Sequence, residues 1–294
     1  MIPVLVGVSL ITFTLMHLVP GGPWDKDKNF GAEVVANLNR RYGLDLPVWM
    51  QYLRFLGNAL RGDLGVSFAY QDRSVTDIIM GGLPTTATLG GLALLFALVV
   101  GIGLGISAAL RQNSMIDYVC VFFATIGASV PSFVIGILLV ITFSVKFHLL
   151  PTKGWGAPEQ MIMPVLALGA LPASYLARIT RASMLEITRQ DFIRTARAKG
   201  LSPAAVVLGH MVKNMLIPVI TVAGPLAAFL ITGSFIIETL FSIPGIGRLF
   251  VQGVFQRDYG LVMGTTLLYT VVVAVANLLV DLLYAVVDPR IRYS

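Results

Sequence analysis

The side chains best suited to covalent chemistry are few in this chain, and they are scattered. The single cysteine, Cys120, lies in an apolar run, so neither a disulfide framework nor a cysteine-based metal site can form. The three histidines, His17, His148 and His210, are far apart in sequence, and the motifs H-E-x-x-H, G-x-S-x-G and G-x-x-x-x-G-K-S/T do not occur. We therefore expect no catalytic residue, no metal site and no cofactor in this chain.

The stretch RTARAKGLSPAA, residues 194–205, offers a different chemistry, namely positive charge on a small surface. A basic loop beside a membrane serves topology and contacts lipid head groups. Charge alone, however, does not require the alanines at positions 196 and 198 or the Gly-Ser-Pro corner that follows them. Small side chains let a partner's surface come close, so we interpret the stretch as a docking site.

The residues around this stretch predict two short helices joined at a glycine. From Met184 the sequence MLEITRQDFIRTARAKG alternates apolar and charged residues, which indicates a surface helix rather than a span. Gly200 fits the end of that helix, whereas Ser202 and Pro203 fit the N-cap and first position of a helix through AAVVLGHMVKNML. We call this unit, residues 184–216, the elbow, and we expect it to lie flat on the cytoplasmic face.

Composition places these elements in a membrane protein. Hydrophobic residues make up 56% of the 294 residues and charged residues 12%, whereas soluble domains have about 25% charged residues. The net charge of +6 is unevenly distributed: residues 20–82 hold seven basic and seven acidic residues, and residues 181–213 hold six basic and two acidic residues. Because much of the excess lies in one loop between spans, it indicates topology and partner binding rather than nucleic-acid binding.

Six apolar stretches are long enough, or nearly so, to cross a bilayer, and none contains an internal Asp, Glu, Lys or Arg. They are residues 2–19, 87–110, 118–145, 161–177, 215–237 and 261–280. The first lacks a basic n-region and an A-x-A cleavage site, so we expect a retained span with a start later than the natural one. Prolines within the spans favour kinks, and the glycines of GIGLG at 101–105 favour close helix packing.

Lysines and arginines near the span ends predict the orientation. With the N-terminus inside, the inner segments 111–117, 178–214 and 281–294 hold ten basic residues, whereas the outer segments 146–160 and 238–260 hold four. Both termini are therefore predicted to be cytoplasmic.

Residues 21–82 predict a compact helical segment outside the membrane, which we call the cap. NFGAEVVANLNRRYGL indicates an amphipathic helix that ends at Gly43, and Pro47 lies near the start of a second helix. Trp49, Tyr52 and Phe55 either rest at the membrane surface or form a small core. A direct substrate site in the cap is the alternative to a structural role.

The loop ETLFSIPGIGRLF, residues 238–250, is apolar for a connection outside the membrane, and we call it the outer loop. Its proline and glycines are expected to break any long helix, and an apolar loop is a liability in water unless it folds back into protein. Non-helical backbone is tolerated at membrane depth where protein buries it or where it lines a cavity. We therefore predict a re-entrant turn that helps close an outer gate, with a surface loop packed on the cap as the alternative. The candidate gate residues are Glu238, Pro244, Gly245, Ile246, Gly247 and Arg248, of which Glu238 and Arg248 are expected to pair.

The sequence DFIRTARAKGLSPAAVVLGHMVKNMLIPVIT resembles the loop by which permease subunits of bacterial ATP-binding-cassette importers engage their ATPase. The likeness is to the dipeptide and oligopeptide permeases, a branch that includes nickel and glutathione importers, and within it to the B component. Other stretches with the same resemblance cover nearly the whole chain. They are HLVPGGP at 17–23, YGLDLPVWMQYLRFL at 42–56, GDLGVSF at 62–68, ARITRASMLE at 177–186, ETLFSIPGIGRLF at 238–250, RDYGLV at 257–262 and NLLVDLLYAVVDPRIRY at 277–293.

The resemblance implies an all-α integral membrane protein with six transmembrane helices and the type I importer permease fold. Its parts would be a first transmembrane helix at 1–20, the extracytoplasmic segment at 21–82, a five-span domain at 83–287 with a cytoplasmic coupling loop at 181–213, and a cytoplasmic tail at 288–294. The residues expected to contact the ATPase are Asp191, Phe192, Arg194, Thr195, Ala196, Arg197, Ala198, Lys199, Gly200 and Leu201. Importers in general carry Glu-Ala-Ala before the loop glycine, whereas this chain has Arg194-Thr195-Ala196, so a glutamate contact is not expected.

The implied partners are a homologous second permease, two ATPase subunits that bind ATP and Mg²⁺, an extracytoplasmic substrate-binding protein and the lipid bilayer of a bacterial inner membrane. The implied substrate is a peptide, with nickel chelates, glutathione or sugars as alternatives. A secondary transporter is a remote alternative, because such proteins usually place ionisable residues near the midplane of the membrane. A membrane-embedded enzyme is the other alternative, and it would need paired polar catalytic groups within the spans.

Overall fold

The computed structural model describes residues 2–24, 31–70 and 73–287, and in these ranges the chain is helical, with no β-strand and one isolated bridge between Val66 and Ser74. The helices of the first half are α1 (Ile2–Leu18), α2 (Ala32–Tyr42), α3 (Val48–Ala59), α4 (Val75–Leu110), α5 (Met115–Ser129) and α6 (Ser132–Leu139), which a π-helical segment continues (Val140–Lys146). Those of the second half are α7 (Pro158–Thr188), α8 (Asp191–Ala198), α9 (Pro203–Val206), a π-helical segment (Val207–Met211), α10 (Val212–Ile231), α11 (Phe235–Leu240), α12 (Ile246–Gln256) and α13 (Tyr259–Val287). The predicted tail at 288–294, with Arg290 and Arg292, lies outside the described residues.

Each predicted span falls mainly on helical residues, although two of the six are interrupted, and this confirms the all-α membrane class. Four described helices are long and apolar enough to cross a membrane, namely Val75–Leu110, Pro158–Thr188, Pro203–Ile231 and Tyr259–Leu279. The α5–α6 pair passes the same test only when its two arms are taken together, and α1 is a shorter apolar helix of 17 residues.

The third predicted span, at 118–145, consists of two helices, and the break lies at the proline where a kink was expected. The chain bends by 108° between Met115–Ser129 and Ser132–Lys146. Val130 is extended at φ −94° and ψ 125°, and Pro131 follows at φ −56° and ψ 141°. Proline disfavours the helical region for the residue before it and lacks a backbone donor, so the predicted kink becomes a complete break.

Other helix ends differ from those expected. Helix α4 begins at Val75, so the last residues of the predicted cap belong to this long helix. Helix α10 ends at Ile231 instead of continuing to position 237, because Gly233 takes a left-handed conformation with φ +77° before α11 starts.

The chain divides into two compact units. Unit 1 comprises Met1–Thr86 and Pro244–Ala274, and unit 2 comprises Ala87–Ile243 and Val275–Ser294. The core of unit 1 is a buried cluster formed by Val75, Ile78, Ile79, Ile246 and Leu261. Unit 2 has two buried clusters, one around the elbow and one around Phe241 and Ile243.

Glycines bring α4 close to its neighbours within unit 2. A Cβ added at Gly101 would lie 2.6 Å from the carbonyl oxygen of Ala173, and one added at Gly105 would lie 2.7 Å from that of Ala177. The packing predicted for GIGLG therefore occurs within the chain, against α7. Gly90 lies even closer to α10, since a Cβ there would be 2.2 Å from the Leu230 carbonyl oxygen.

Candidate functional site

The corner of the elbow has the geometry that its sequence predicts. Helix α8 ends at Ala198, and Gly200 follows with φ +78°, a conformation that favours glycine. The Ser202 hydroxyl accepts a hydrogen bond from the Ala205 amide at 3.3 Å, and Pro203 occupies the first position of α9. Both helix ends at the corner are thus encoded by local sequence. The second helix is not the short surface helix that the sequence predicts, because it continues from Pro203 to Ile231 as one apolar helix of 29 residues.

The first helix of the elbow is shorter than expected. Helix α7 continues to Thr188, and Met184 is fully buried in the core of unit 2, so the surface helix begins at Asp191 and not at Met184. The residues MLEI at 184–187 belong to a long helix whose buried side chains recur with helical spacing.

One face of α8 belongs to the chain's own core. Ile193 is fully buried and Ala196 is nearly so, in a cluster that also contains Val206, Met211 and Met215. The interpretation of Ala196 as a small residue that lets a partner approach is therefore wrong. Its small size serves packing within the chain, because a larger side chain would meet this cluster.

The opposite face of α8 and the corner itself are exposed. Their exposed residues are Asp191, Phe192, Arg194, Thr195, Arg197, Ala198, Lys199, Gly200 and Leu201. Arg194 and Asp191 approach to 3.5 Å, and a pair this exposed contributes at most about 1 kcal/mol. The surface therefore presents three cations, one of them loosely paired, with two apolar side chains, Phe192 and Leu201, beside them.

A buried ion pair ties the connection between α4 and α5 to α7. Arg181 Nε lies 2.7 Å from Asp117 Oδ1, and Arg181 Nη2 donates to Oδ2 at 2.8 Å. The Asn113 amide also donates to Oδ2 at 2.9 Å. The Asp117 side chain is 3% exposed and that of Arg181 is 29% exposed. Sequence reasoning missed this pair, because its members are 64 positions apart and Arg181 was counted only as a loop charge.

The outer loop contains more helix than predicted. Gly247 does not break a helix but occupies the second position of α12, and Gly245 precedes that helix as its N-cap. The turn between α11 and α12 is held from both sides: the Ile243 amide donates to the Glu238 carbonyl at 2.8 Å, and the Ile246 amide donates to the Thr86 hydroxyl at 2.9 Å.

The apolar residues of the outer loop are buried, whereas its tip is exposed. Phe241, Ile243 and Ile246 are at most 2% exposed, while Pro244 is exposed. Glu238 is fully buried in α11 and Arg248 lies on α12, partly exposed. Their pairing and the re-entrant character of the loop stay predictions.

A carboxylate that sequence reasoning did not select organises unit 1. Asp258 is fully buried, and its Oδ2 accepts hydrogen bonds from the Ser67 hydroxyl and from the amides of Phe68 and Ala69 at 3.0 and 3.1 Å. Its Oδ1 accepts from the Leu261 amide at 3.0 Å at the start of α13. The motifs GDLGVSF and RDYGLV, quoted separately above, are therefore two halves of one contact.

The neighbouring arginine joins a third motif to the same place. Arg257 Nη1 donates to the Gly22 carbonyl at 3.2 Å, and a Cβ at Gly21 would overlap the guanidinium. The close approach of Arg257 thus requires glycine at position 21, whereas Gly22 contributes its backbone carbonyl. The only sequence signal for this constellation is the pair of residues Arg257-Asp258 directly before a long apolar helix.

Comparison with known proteins places these features in a family. The sequence profile of the binding-protein-dependent transport system inner membrane component matches residues 101–293. The dipeptide transport system permease protein DppB of Bacillus subtilis is 42% identical over 97% of this chain and 92% of its own. The oligopeptide transport system permease protein OppB of Escherichia coli K12 is 43% identical over 99% of this chain and 96% of its own.

The chain belongs to the binding-protein-dependent transport system inner membrane component family. Solved structures agree on the fold of this permease. A chain of the inward-facing MetNI methionine ABC transporter matches with a TM-score of 0.60 at 19% identity, over 72% of this chain and 96% of its own. A chain of an amino acid ABC transporter crystallised with histidines matches with a TM-score of 0.57 at 18% identity, over 71% of this chain and 93% of its own. The permease therefore has the type I ABC importer fold, and it is a membrane transport subunit.

Proposed function

We propose that this permease forms half of the translocation pathway of an ATP-driven importer of oligopeptides or dipeptides. The observation that carries the proposal is the 42–43% identity to dipeptide and oligopeptide permeases over 97–99% of the chain. A homologous second permease would supply the other half of the pathway, and an extracytoplasmic binding protein would deliver the peptide. The chain itself would bind no cofactor, since ATP and Mg²⁺ would be held by two separate ATPase subunits.

The exposed face of the elbow is the proposed contact with one ATPase. Arg194, Arg197 and Lys199 surround the corner, and Phe192 and Leu201 provide apolar contact area beside them. Ile193 and Ala196 are buried in the same cluster as residues of α7 and α10. A displacement of α8 would therefore be transmitted to both long helices. This packing supports a role in transmitting ATPase closure to the spans.

The proposed orientation places the elbow and both termini in the cytoplasm and the cap outside. The excess of lysine and arginine in the elbow supports this orientation. The outer loop would then face the binding protein, and its exposed tip at Pro244 would approach the second permease as part of an outer gate.

Substitutions at Gly200 test the coupling role. Gly200→Ala adds mainly the strain of a left-handed residue, about 1–2 kcal/mol, because no atom lies within 4 Å of the new Cβ. Gly200→Trp adds the same strain and a bulky side chain on the docking surface. Gln112→Trp is the matched control, as it places the same bulk on an exposed residue of another connection predicted to be cytoplasmic.

The measurement is ATP-dependent uptake of a labelled peptide by the assembled transporter in proteoliposomes, with recovery of the ATPase subunits as a second readout. We expect Gly200→Trp to abolish uptake and to reduce ATPase recovery, Gly200→Ala to keep most of both, and Gln112→Trp to behave as the wild type. Normal uptake by Gly200→Trp would contradict the docking role. If the transporter takes up a different class of substrate and the variants still behave as described, only the assignment of peptide as the substrate is contradicted.

Cross-linking tests the outer gate. Ile246 is 2% exposed and unsuitable for a cysteine probe, whereas Pro244 is exposed. A cysteine at position 244 is expected to cross-link to the second permease, with a yield that changes when ATP and binding protein are added. The gate proposal would be contradicted if this cysteine never cross-links and stays reactive to aqueous reagent both with and without ATP and binding protein.

A further inference from the structure

A cleft of about 260 Å³ lies inside unit 1, where α1, the cap and the start of α13 meet. Its walls combine residues of the apolar helices with residues of α2, α3 and the segment at 63–68. Most of these residues precede position 101, where the match to the family profile begins. The cleft is thus largely built by the part of the chain outside that shared region.

The lining of the cleft combines two chemistries. The apolar side chains of Phe13 and Met16, from α1, and of Met263, from α13, form part of it. Arg41 and Arg54 line the cap side. One carboxylate, that of Asp63, also lines the described cleft, and its Oδ1 already accepts the Gly65 amide at 2.9 Å. The cleft therefore joins an apolar surface to a net positive rim.

Local structure fixes the rim and the wall in place. Gly43 has φ +71°, and a Cβ there would lie 3.0 Å from Arg54 Nη1, so the absence of a side chain lets the guanidinium lie against the turn. The Gln51 side-chain amide donates to the Leu46 carbonyl at 2.8 Å, and its Oε1 lies 3.3 Å from His17 Nε2. The wall is thus held by hydrogen bonds without any ligand.

The position of α3 places this cleft beside the apolar helix α1. The Tyr52 hydroxyl lies 2.9 Å from Ser9 Oγ and donates to the Val6 carbonyl at 3.2 Å, so α3 lies beside the apolar helix α1 and not beyond its end. Trp49 and Leu53, one helical turn apart on α3, are 62% and 56% exposed. An exposed apolar helix face that carries a tryptophan is typical of a helix in the membrane interface. Tyr52 thus packs on α1, and Trp49 faces outward.

We infer that this cleft binds a glycerophospholipid, with the phosphate held by Arg41 and Arg54 and one acyl chain lying along Phe13, Met16 and Met263. Guanidinium groups bind phosphate oxygens through paired hydrogen bonds, and a site at the interface reaches the head groups of the surrounding leaflet. The apolar part of the lining selects a lipid over a free phosphate ion, because inorganic phosphate would leave that surface uncovered.

Photo-cross-linking of the full chain, purified with the subunits that assemble with it, tests the inference. The probe is phosphatidylglycerol with a diazirine on one acyl chain, in phosphatidylcholine vesicles, and mass spectrometry maps the adducts. We expect adducts on peptides that contain residues 13–16 or 263, and competition by unlabelled phosphatidylglycerol. The variant Arg41→Gln/Arg54→Gln should lower the yield by about tenfold, as expected for the loss of strong charge-assisted bonds.

The control variant is Arg61→Gln, which removes an exposed arginine of the same segment that does not line the cleft. It should keep the wild-type yield. Asn58→Asp adds a carboxylate to the wall and should also lower the yield, and recovery of the assembled complex verifies that each variant folds. Competition by inorganic phosphate as strong as by lipid would assign the rim to a free anion and overturn the inference. Equal yields in all variants would overturn it as well.

Discussion

Removal of the Asp258 carboxylate should loosen the contact between the segment at 67–69 and the start of α13. In Asp258→Ala, three backbone amides, those of Phe68, Ala69 and Leu261, lose their acceptor, as does the Ser67 hydroxyl. Asp258→Asn keeps one side-chain oxygen as an acceptor. The NH₂ group takes the place of the second oxygen and cannot accept the hydrogen bonds made there.

The size of the effect follows from these bonds. A hydrogen bond to a charged group contributes about 1.5–3 kcal/mol. Ala69 is exposed and Phe68 is only partly buried, so water accepts hydrogen bonds from their amides once the carboxylate is removed. The lower value of this energy range therefore applies. Two bonds at about 1.5 kcal/mol give about 3 kcal/mol, which corresponds to roughly a 100-fold change in a local opening equilibrium.

Amide hydrogen exchange of the purified transporter measures this opening directly. We expect exchange at Phe68 and Ala69 to be roughly 100-fold faster in Asp258→Ala and less than tenfold faster in Asp258→Asn. Asp45→Asn, which changes an exposed carboxylate of the cap, should leave these amides unaffected. Exchange that stays at the wild-type rate in Asp258→Ala would show that the carboxylate does not hold the segment.

Three further outcomes can be measured. Gly101→Ala places a Cβ 2.6 Å from a backbone oxygen and should destabilise the permease by about 1–3 kcal/mol, whereas Gly103→Ala meets no atom within 4 Å and should leave the melting temperature unchanged. Arg181→Gln leaves a buried carboxylate unpaired and should lower the melting temperature more than the double variant Asp117→Asn/Arg181→Gln; equal losses would contradict the pairing. A cysteine at the exposed Asn37 should react with an impermeant thiol reagent from outside, and labelling only after permeabilisation would reverse the orientation.

Local sequence signals predicted the parts of the fold that depend on local physics. The corner at Gly200 and Ser202-Pro203 and the helix end at Gly43 have the conformations expected from their residue types. These features depend on backbone preferences and capping, which act over a few residues and can be read without knowledge of the fold.

The contacts missed by sequence reasoning are long-range. Asp258 reaches Ser67 across 191 positions, and Asp117 reaches Arg181 across 64. Nothing in the chain next to each residue indicates its partner. The burial of Ala196 was misread for a related reason, since helical periodicity marks an apolar face but does not say whether the chain or another subunit covers it.

The break at Pro131 shows a different limit of prediction from sequence. Prolines at positions 84, 164, 172, 218 and 225 lie inside continuous helices, whereas Pro131 separates two helices at 108°. The same residue type therefore lies inside a continuous helix at five positions and at a sharp corner at one, so the presence of a proline does not by itself predict a break.

The two-sided character of α8 has a consequence for how related importers diverge. Ile193 and Ala196 are fixed by the permease's own interior, while Phe192, Thr195 and Lys199 face outward. Under the proposed ATPase contact, exchange of the outward side chains alone would therefore transfer recognition of one ATPase subunit to another permease without disturbing its interior. Changes to a few residues over about two turns of helix would then suffice to keep the ATPases of several such importers separate, or to let them share one.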